Sequence, residues 1–370
     1  MKQSNLILPT RFKTRDAITF DSGFRTLDAI GNMVGQPLGN GFKTHDGRTV
    51  DSTGAFLVGE LERLDLTLHM PLAAVTYGRD IDLREDVTIA DEVSSFTLSN
   101  FASSGSLGTG NGIGNGKAWI GKNSDQIAGV SVDIGKIPNP LTPWGLELKY
   151  TILELESAAK LGRPVDAQKF EALQLKHQMD IDEQVYIGDT ANGVKGLVNN
   201  AGVTAANFPN GVSGFSAWTK KTPDEILADV NAMITTTWAR TGWAVMPDRL
   251  LLPPAQFGYI STQKIGTAAQ VSILKYILDN NILKASGQGE LTILPLKWCI
   301  GAGVGGTIGT VGIDRAVIYV KDRQRVRYPM TLLQRTPIQY DSIYHKTTYF
   351  CRLGVTEVVY VECIGYFDGL

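Results

Sequence analysis

SSGSLGTGNGIGNGKAWIGKNSDQ, residues 103–126, is the stretch on which the fold turns. Its dense glycines leave little side chain to bury, so it cannot form a core of its own. Downstream, Ile127-Ala-Gly-Val130-Ser-Val132-Asp-Ile134 alternates apolar and polar residues, the pattern of a strand with one buried face. Upstream lies a charged stretch, Arg79 to Glu92. Strand-like flanks around a glycine-rich tip predict one long β-hairpin over 76–135, with its tip at 103–122. A connection this long is functional or disordered. A two-stranded hairpin is marginal alone, and Trp119 and Ile120 are apolar anchors that a free loop should not display. Trp119 and Ile120 are therefore expected to touch another chain.

On the C-terminal side, Thr142-Pro143 reads as a helix start, with Leu146, Tyr150 and Leu153 at helical spacing. Gly162-Arg163-Pro164 breaks that helix and Asp166 can cap the next. Phe170, Leu173, His177, Ile181 and Val185 line one face of this second helix, which should stop at Gly188. Residues 144–189 carry nine acids and five bases, so one charged side runs along their length. Asp180, Asp182 and Glu183 read as part of that solvated face. A glycine-rich return follows to about Lys221, where Thr222-Pro-Asp-Glu225 forms a capping box for a helix from Ile226 to about Arg240. Arg249 to Leu252 reads as a buried strand, followed by a Pro-Pro corner, a short helix, and a helix over Val271 to Asn280. Beyond these the chain is mostly β, with strands expected at Leu291–Ile300, Arg315–Lys321 and Val355–Glu362.

On the N-terminal side, Leu64, Leu66 and Leu68 alternate with polar residues as a strand does. Residues 1 to about 55 show no sustained period and read as an extended arm. Within the first 50 it carries seven Lys/Arg against four Asp, Arg11, Lys13 and Arg15 among the bases.

Bulk composition narrows the function. A net charge of −2 over 370 residues argues against a chain whose main task is gripping nucleic acid. Cys299, Cys351 and Cys363 are too few for a disulfide scaffold or zinc site and fit a reducing compartment. The opening MKQSNLILPTRFKTRD holds only a four-residue apolar run, too short for a signal peptide, and no stretch approaches a membrane span. Folding in a cytoplasm is expected.

Motifs that carry chemistry fail on context. Gly301-Ala-Gly303-Val-Gly-Gly306 matches a dinucleotide fingerprint, which needs a helix after it; TIGTVGIDRAVIYV is β-like. Gly116 to Asn123 nearly matches a phosphate loop, with Asn where the magnesium-binding hydroxyl belongs. His45, His69, His177 and His345 show no metal-ligand spacing, and His177 sits on an apolar helix face where a packed core role is expected. No nucleophile–base constellation is visible. Lys321-Asp-Arg323-Gln-Arg325-Val-Arg327 would place four bases on one side of a strand, for an intersubunit or DNA contact.

The order of parts resembles the Hong Kong 97-type phage capsid fold. Tyr186-Ile-Gly188-Asp189 followed by Gly193-Val-Lys-Gly196-Leu197-Val-Asn199 is similar to that family's spine-helix exit. Asp314-Arg315-Ala-Val-Ile-Tyr319 and the closing Gly365-Tyr-Phe-Asp-Gly369-Leu resemble a branch of phage major capsid proteins. The resemblance runs from about residue 50 to the end. It implies an α+β fold with an N-arm at 1–55, a strand of the peripheral (P) domain at 56–75 and an extended-loop (E-loop) hairpin at 76–135. A P-domain with a long spine helix follows at 136–220, an axial (A) domain at 221–330, and return strands at 331–370. For Lys117 and Lys122 of the E-loop it implies contact with another chain, as for Trp119 and Ile120. It implies a structural subunit and not an enzyme, without cofactors. Such a subunit assembles with itself into pentamers and hexamers of a phage head in a host bacterial cytoplasm. The virion would enclose double-stranded DNA by non-specific contact, with portal, scaffolding and decoration proteins as further partners and no membrane. The arm is too short for a cleaved scaffolding region. Competing readings are an encapsulin-type compartment of the same fold and, remotely, a Gly-loop nucleotide-binding enzyme.

Overall fold

The computed structural model describes residues 26–27, 33–34, 71–103, 122, 130–161, 165–189, 192–266, 271–310 and 312–370. The chain divides into two units, 1–69 and 70–370. In the first, β1 (Thr26–Leu27) pairs antiparallel with β2 (Met33–Val34). The strand expected through Leu64–Leu68 and the basic residues Arg11, Lys13 and Arg15 lie outside the described residues.

The second unit opens with a single helical turn, α1 (Tyr77–Asp80), and β3 (Asp82–Arg84). Then come the two arms of the hairpin, β4 (Val93–Ser103) and β5 (Val130–Pro140). The next element is a strand, β6 (Thr142–Thr151), where a helix was expected; α2 begins only at Ile152 (Ile152–Leu161). Trp144, Leu146, Leu148 and Tyr150 also alternate with polar residues and Gly145, and that period of two prevails. Each residue of β6 is opposite one of a later strand, from Thr142 against Leu353 to Thr151 against Tyr344. Pro143 is tolerated because β6 lies at the edge of its sheet. The capping hydroxyl is that of Thr151, which accepts from Glu154 N at 3.0 Å.

The long helix α3 (Val165–Tyr186) buries Leu173, His177, Ile181 and Val185, the face expected from their spacing. Its exit is a backbone clasp. Gly196 N, Leu197 N and Val198 N donate to the carbonyls of Ile187, Val185 and Tyr186, which the helix end would otherwise leave unpaired. Two glycines allow this close return. Gly188 has φ +78°, and a Cβ on Gly196 would lie 2.3 Å from the Tyr186 carbonyl carbon.

After β7 (Ala205–Asn207), helix α4 (Pro223–Arg240) starts on the full Thr222/Glu225 capping box. The chain continues through β8 (Arg249–Leu252), α5 (Pro254–Thr262), α6 (Ile273–Asn280), α7 (Ile282–Ala285) and β9 (Thr292–Pro295). Instead of running on to Ile300, that strand ends in a 3-10 turn over Lys297–Cys299. The remaining strands are β10 (Arg315–Tyr319), β11 (Val326–Pro329), β12 (Gln334–Arg335), β13 (Gln339–Asp341), β14 (Tyr344–Leu353), β15 (Glu357–Val358) and β16 (Ile364–Asp368). The strand expected at Val355–Glu362 shrinks to the two residues of β15, and the longer β16 follows it.

One five-stranded sheet, ordered β7-β16-β10-β8-β9, is buried on both faces. Val317, Tyr319, Ile364 and Tyr366 face a core shared with Ile181 and Val185 of α3. Ala316, Ile318 and Phe367 point the other way, into a core with Ile226, Val230, Met233 and Ile234 of α4. Alternation along each strand thus feeds two cores, each large side chain contributing about 1.5–3 kcal/mol. Within the sheet, buried Arg315 grips Asp368 with two hydrogen bonds, at 2.7 and 2.9 Å, and donates to Val198 O at 2.9 Å.

Candidate functional site

Only part of the hairpin expected over 76–135 forms: its first arm starts at Val93, because 77–80 are α1 and 82–84 are β3, which pairs with β11, and its second arm runs on to Pro140. β4 and β5 pair antiparallel from Val93 against Pro140 to Ser103 against Val130, and neither edge carries a further strand among the described residues. Side chains alternate across the two faces. Val93, Val132 and Ile134 share one face and are 51%, 60% and 66% exposed. A ribbon that displays β-branched side chains to water on one face, with two open backbone edges, is an incomplete structure.

The ribbon is fastened at its base. Ser94 and Phe96 are buried, whereas Thr97, Ser99 and residues 132–138 are exposed. Ser94 Oγ donates to Glu357 Oε1 at 2.5 Å inside the protein. The other carboxylate oxygen, Oε2, accepts from Arg327 Nε at 2.7 Å and Arg84 Nη1 at 3.4 Å, and Arg84 also donates to Ser94 Oγ at 3.2 Å. One buried carboxylate therefore joins β3, β4, β11 and β15.

A second apolar surface lies where β13 turns into β14. Ile338, Tyr340 and Ile343 are exposed there, and Ile343 O accepts from Ile152 N at 3.0 Å, bringing exposed Ile152 and Leu153 alongside.

The acids of α3 separate by position. Asp182 is fully buried and accepts from Thr76 N (2.7 Å), Tyr77 N (3.1 Å) and Trp298 Nε1 (2.7 Å), with Lys297 Nζ at 3.2 Å. It is a structural joint, correcting the solvated face expected for it. Two residues earlier and a different way round the helix, Asp180 is partly exposed and pairs with Lys176 and Trp144. Glu183 is exposed as expected. Beside Asp182, buried Asp80 accepts from Arg79 Nε at 2.7 Å and from the Tyr186 hydroxyl, whose pKa burial drives far above its usual value.

Nothing in this interior resembles an activated nucleophile. His177 Nε2 lies 3.3 Å from Cys351 Sγ, but burial pushes the thiol up to about 12 and the imidazole below its ordinary value. Both shifts favour the neutral pair, the opposite of what a thiolate–imidazolium couple requires. A cleft of about 260 Å³ between β6 and the end of α3 is lined by Trp144, Asp180, Glu183 and Asp189 among others. No group of three metal-ligating side chains is found among the described residues. No helix there is long and apolar enough to cross a membrane.

Of the residues singled out from sequence, Lys117, Trp119 and Ile120 lie outside the described residues, and Lys122 is an exposed turn residue. Lys321, Arg323, Arg325 and Arg327 do not share a strand face. Residues 321–325 form a turn, because Asp322 O accepts from Arg325 N and its side chain from Gln324 N; β11 starts only at Val326. Lys321 Nζ donates to Arg79 O at 2.8 Å, Arg325 pairs with Asp322 and Arg327 with Glu357, leaving Arg323 exposed. Sequence reading missed Ser94 and Glu357. A lone acid inside Val355-Thr-Glu357-Val-Val359 was the available signal, since a carboxylate in an apolar run is either exposed or paired.

The family model for major capsid proteins matches residues 116–370. Among solved structures, the capsid of Myoviridae phage XM1 matches with a TM-score of 0.64 at 17% identity, covering 88% of this chain and 100% of that one. A chain of Gordonia phage Cozz gives 0.53 at 11% identity, over 86% and 95%. The capsid of a native GTA particle gives 0.52 at 11% identity, over 86% and 99%. No curated protein sequence matches.

Proposed function

The chain belongs to the major capsid protein family, and from that premise we propose that its copies close into the pentamers and hexamers of an icosahedral phage head around double-stranded DNA. As a phage capsid subunit it is a structural protein of the virion, with the α+β fold of phage capsid proteins. In this reading the β4–β5 ribbon belongs to the E-loop, α3 is the spine helix, and residues 221–330, holding α4 to β11, are the A-domain. Assembly takes place in the host cytoplasm, with portal, scaffolding and decoration proteins as further partners.

One observation carries the proposal: the exposed Val93, Val132 and Ile134 face on a ribbon that, among the described residues, is fastened at its base. Covering that face with a second copy removes apolar area from water, and many such contacts per subunit add up across a closed lattice. The surface at Tyr340, Ile343 and Leu153 supports a further contact of the same kind. At the ribbon tip, Lys117, Trp119, Ile120 and Lys122 supply apolar anchors with flanking charge for the neighbour. Arg323, exposed in its turn, and Arg11, Lys13 and Arg15 of the arm supply positive charge for phosphate or for an acidic neighbour.

The test is negative-stain electron microscopy of the purified chain after size-exclusion chromatography. Closed shells, or rings of five and six subunits, are expected. A monodisperse monomer or dimer that persists at high concentration refutes the proposal.

A further inference from the structure

We propose that Glu357 is the positioning residue of the hairpin: its carboxylate fixes the direction in which the β4–β5 ribbon leaves the subunit, and so the curvature of the assembly. The inference rests on the reading of the ribbon as an intersubunit arm.

Three observations converge. The first is topological. Beyond Phe96 the ribbon's described side chains are exposed or half-buried, and at its base the backbone bond from Leu141 N to Glu92 O (2.9 Å) only closes the neck. Among the described residues, the link of Ser94 to the Glu357 and Arg84 pair is therefore the side-chain hydrogen bonding that ties the ribbon's direction to the body.

The second is electrostatic. Glu357 has no exposed side-chain surface, and burying a carboxylate is costly unless it is paired and hydrogen-bonded. An apolar side chain at this point of β15 would pack without that penalty. The carboxylate adds a division of labour, with Oε1 holding the ribbon and Oε2 holding the sheet through Arg327 and Arg84. Its neighbours are well placed for this. Arg327 is the cross-strand partner of Glu357 and lies in turn beside Asp82 of β3, two residues before Arg84.

The third is an orphan. Asn139, opposite Ser94 in the hairpin register, keeps a buried Nδ2 with no hydrogen-bond partner among the described residues. Buried donors are normally paired, and this one is available to a second orientation of the ribbon. The base thus holds one direction by a charge-assisted clasp and has a spare donor for another.

The test compares Ser94→Ala and Glu357→Gln with the wild-type chain. Ser94→Ala cuts the ribbon's link and leaves the Glu357–Arg327 pair intact, so it stays informative if Glu357→Gln fails to fold. In unassembled subunits, amides of 95–98, 135–137 and 139 should exchange on the order of tenfold faster in Ser94→Ala, with those of α3 unchanged. Assembled particles, imaged by electron microscopy, should span a broader range of diameters than wild type. Exchange that rises equally throughout the subunit, or does not rise at the base, overturns the clamp. A faster-exchanging base with an unchanged particle population overturns its role in curvature. Should wild type form no shells, the assembly reading falls with that role, while the exchange data still decide the clamp.

Discussion

Replacing Asp182 by Asn changes one atom and should cost far more than the same change at Asp180. In the native joint, Asp182 Oδ1 accepts from Thr76 N and Tyr77 N, and Oδ2 from Trp298 Nε1 with Lys297 Nζ at 3.2 Å. An amide can serve only one side. Its NH₂ must face either two backbone donors or the Trp298 and Lys297 donors, and in both orientations a buried N–H loses its acceptor. Lys297 also loses its charged partner. A buried unsatisfied donor together with a lost charge-assisted bond costs about 2–4 kcal/mol. With a denaturant slope of about 3 kcal/mol/M, the urea midpoint should fall by about 1 M. Asp180 is partly exposed, and an Asn there can still accept from Trp144, so its cost stays below about 1 kcal/mol. Urea unfolding of unassembled subunits, followed by circular dichroism, measures both. Equal shifts in the two variants, or a shift under about 0.3 M for Asp182→Asn, would show that the joint does not hold α3 to the 76–80 segment.

Ile134→Asp should leave the subunit's stability within about 0.5 kcal/mol, because the side chain is 66% exposed, yet abolish closed shells; calorimetry and microscopy on one preparation decide this. Gly196→Ala forces a Cβ to 2.3 Å from the Tyr186 carbonyl carbon. A loss above about 3 kcal/mol and insoluble expression are expected, and soluble protein with a wild-type melting temperature would contradict the clasp. Burial holds the His177 imidazole below its ordinary pKa, against a smaller opposing pull from Asp180. The unfolded chain therefore takes up that proton first. Stability from this group is complete above about pH 6.5 and falls on acidification until the folded imidazole also protonates. His177→Gln should flatten that part of the melting-temperature profile, and an unchanged slope would contradict it.

The helices that announce themselves chemically were legible in the sequence. Thr222 and Glu225 make the capping box expected of them, and Leu173, His177, Ile181 and Val185 are buried on α3 as their spacing requires. The hairpin's return arm was legible too, since a period of two follows the glycine-rich tip, whereas its first arm at 93–103 was not distinguished from the charged stretch before it. Elements whose identity depends on a distant partner were not. Residues 142–151 satisfy both a helical and a strand period, and only β14, some 200 residues later in the chain, decides between them. The same holds for the site. Alternation places Val132 and Ile134 on one face of a strand but reads that face as buried, and their exposure is seen only in the structure; the Ser94–Glu357 contact joins residues 263 apart and leaves only a lone acid among apolar neighbours as its local trace. The basic run 321–327 failed for a local reason: Asp322 forms a turn that removes the strand on which one-sided alternation depended.

The position of β16 has a consequence for synthesis. This strand is translated after each of its partners, yet it sits inside the sheet, between β7 and β10, and brings Asp368 to Arg315. Until residues 364–368 clear the ribosome, β10 keeps an open edge, the Arg315 guanidinium lacks its carboxylate, and neither core is complete. A nascent chain therefore holds most of its contact surfaces before it has a finished body to present them on. Chains cut short before this strand lose the link between β7 and β10, a costlier loss than a missing edge strand. Insertion of a late strand between β7 and β10 thus couples a closed sheet, and both of the cores it feeds, to translation through residues 364–368.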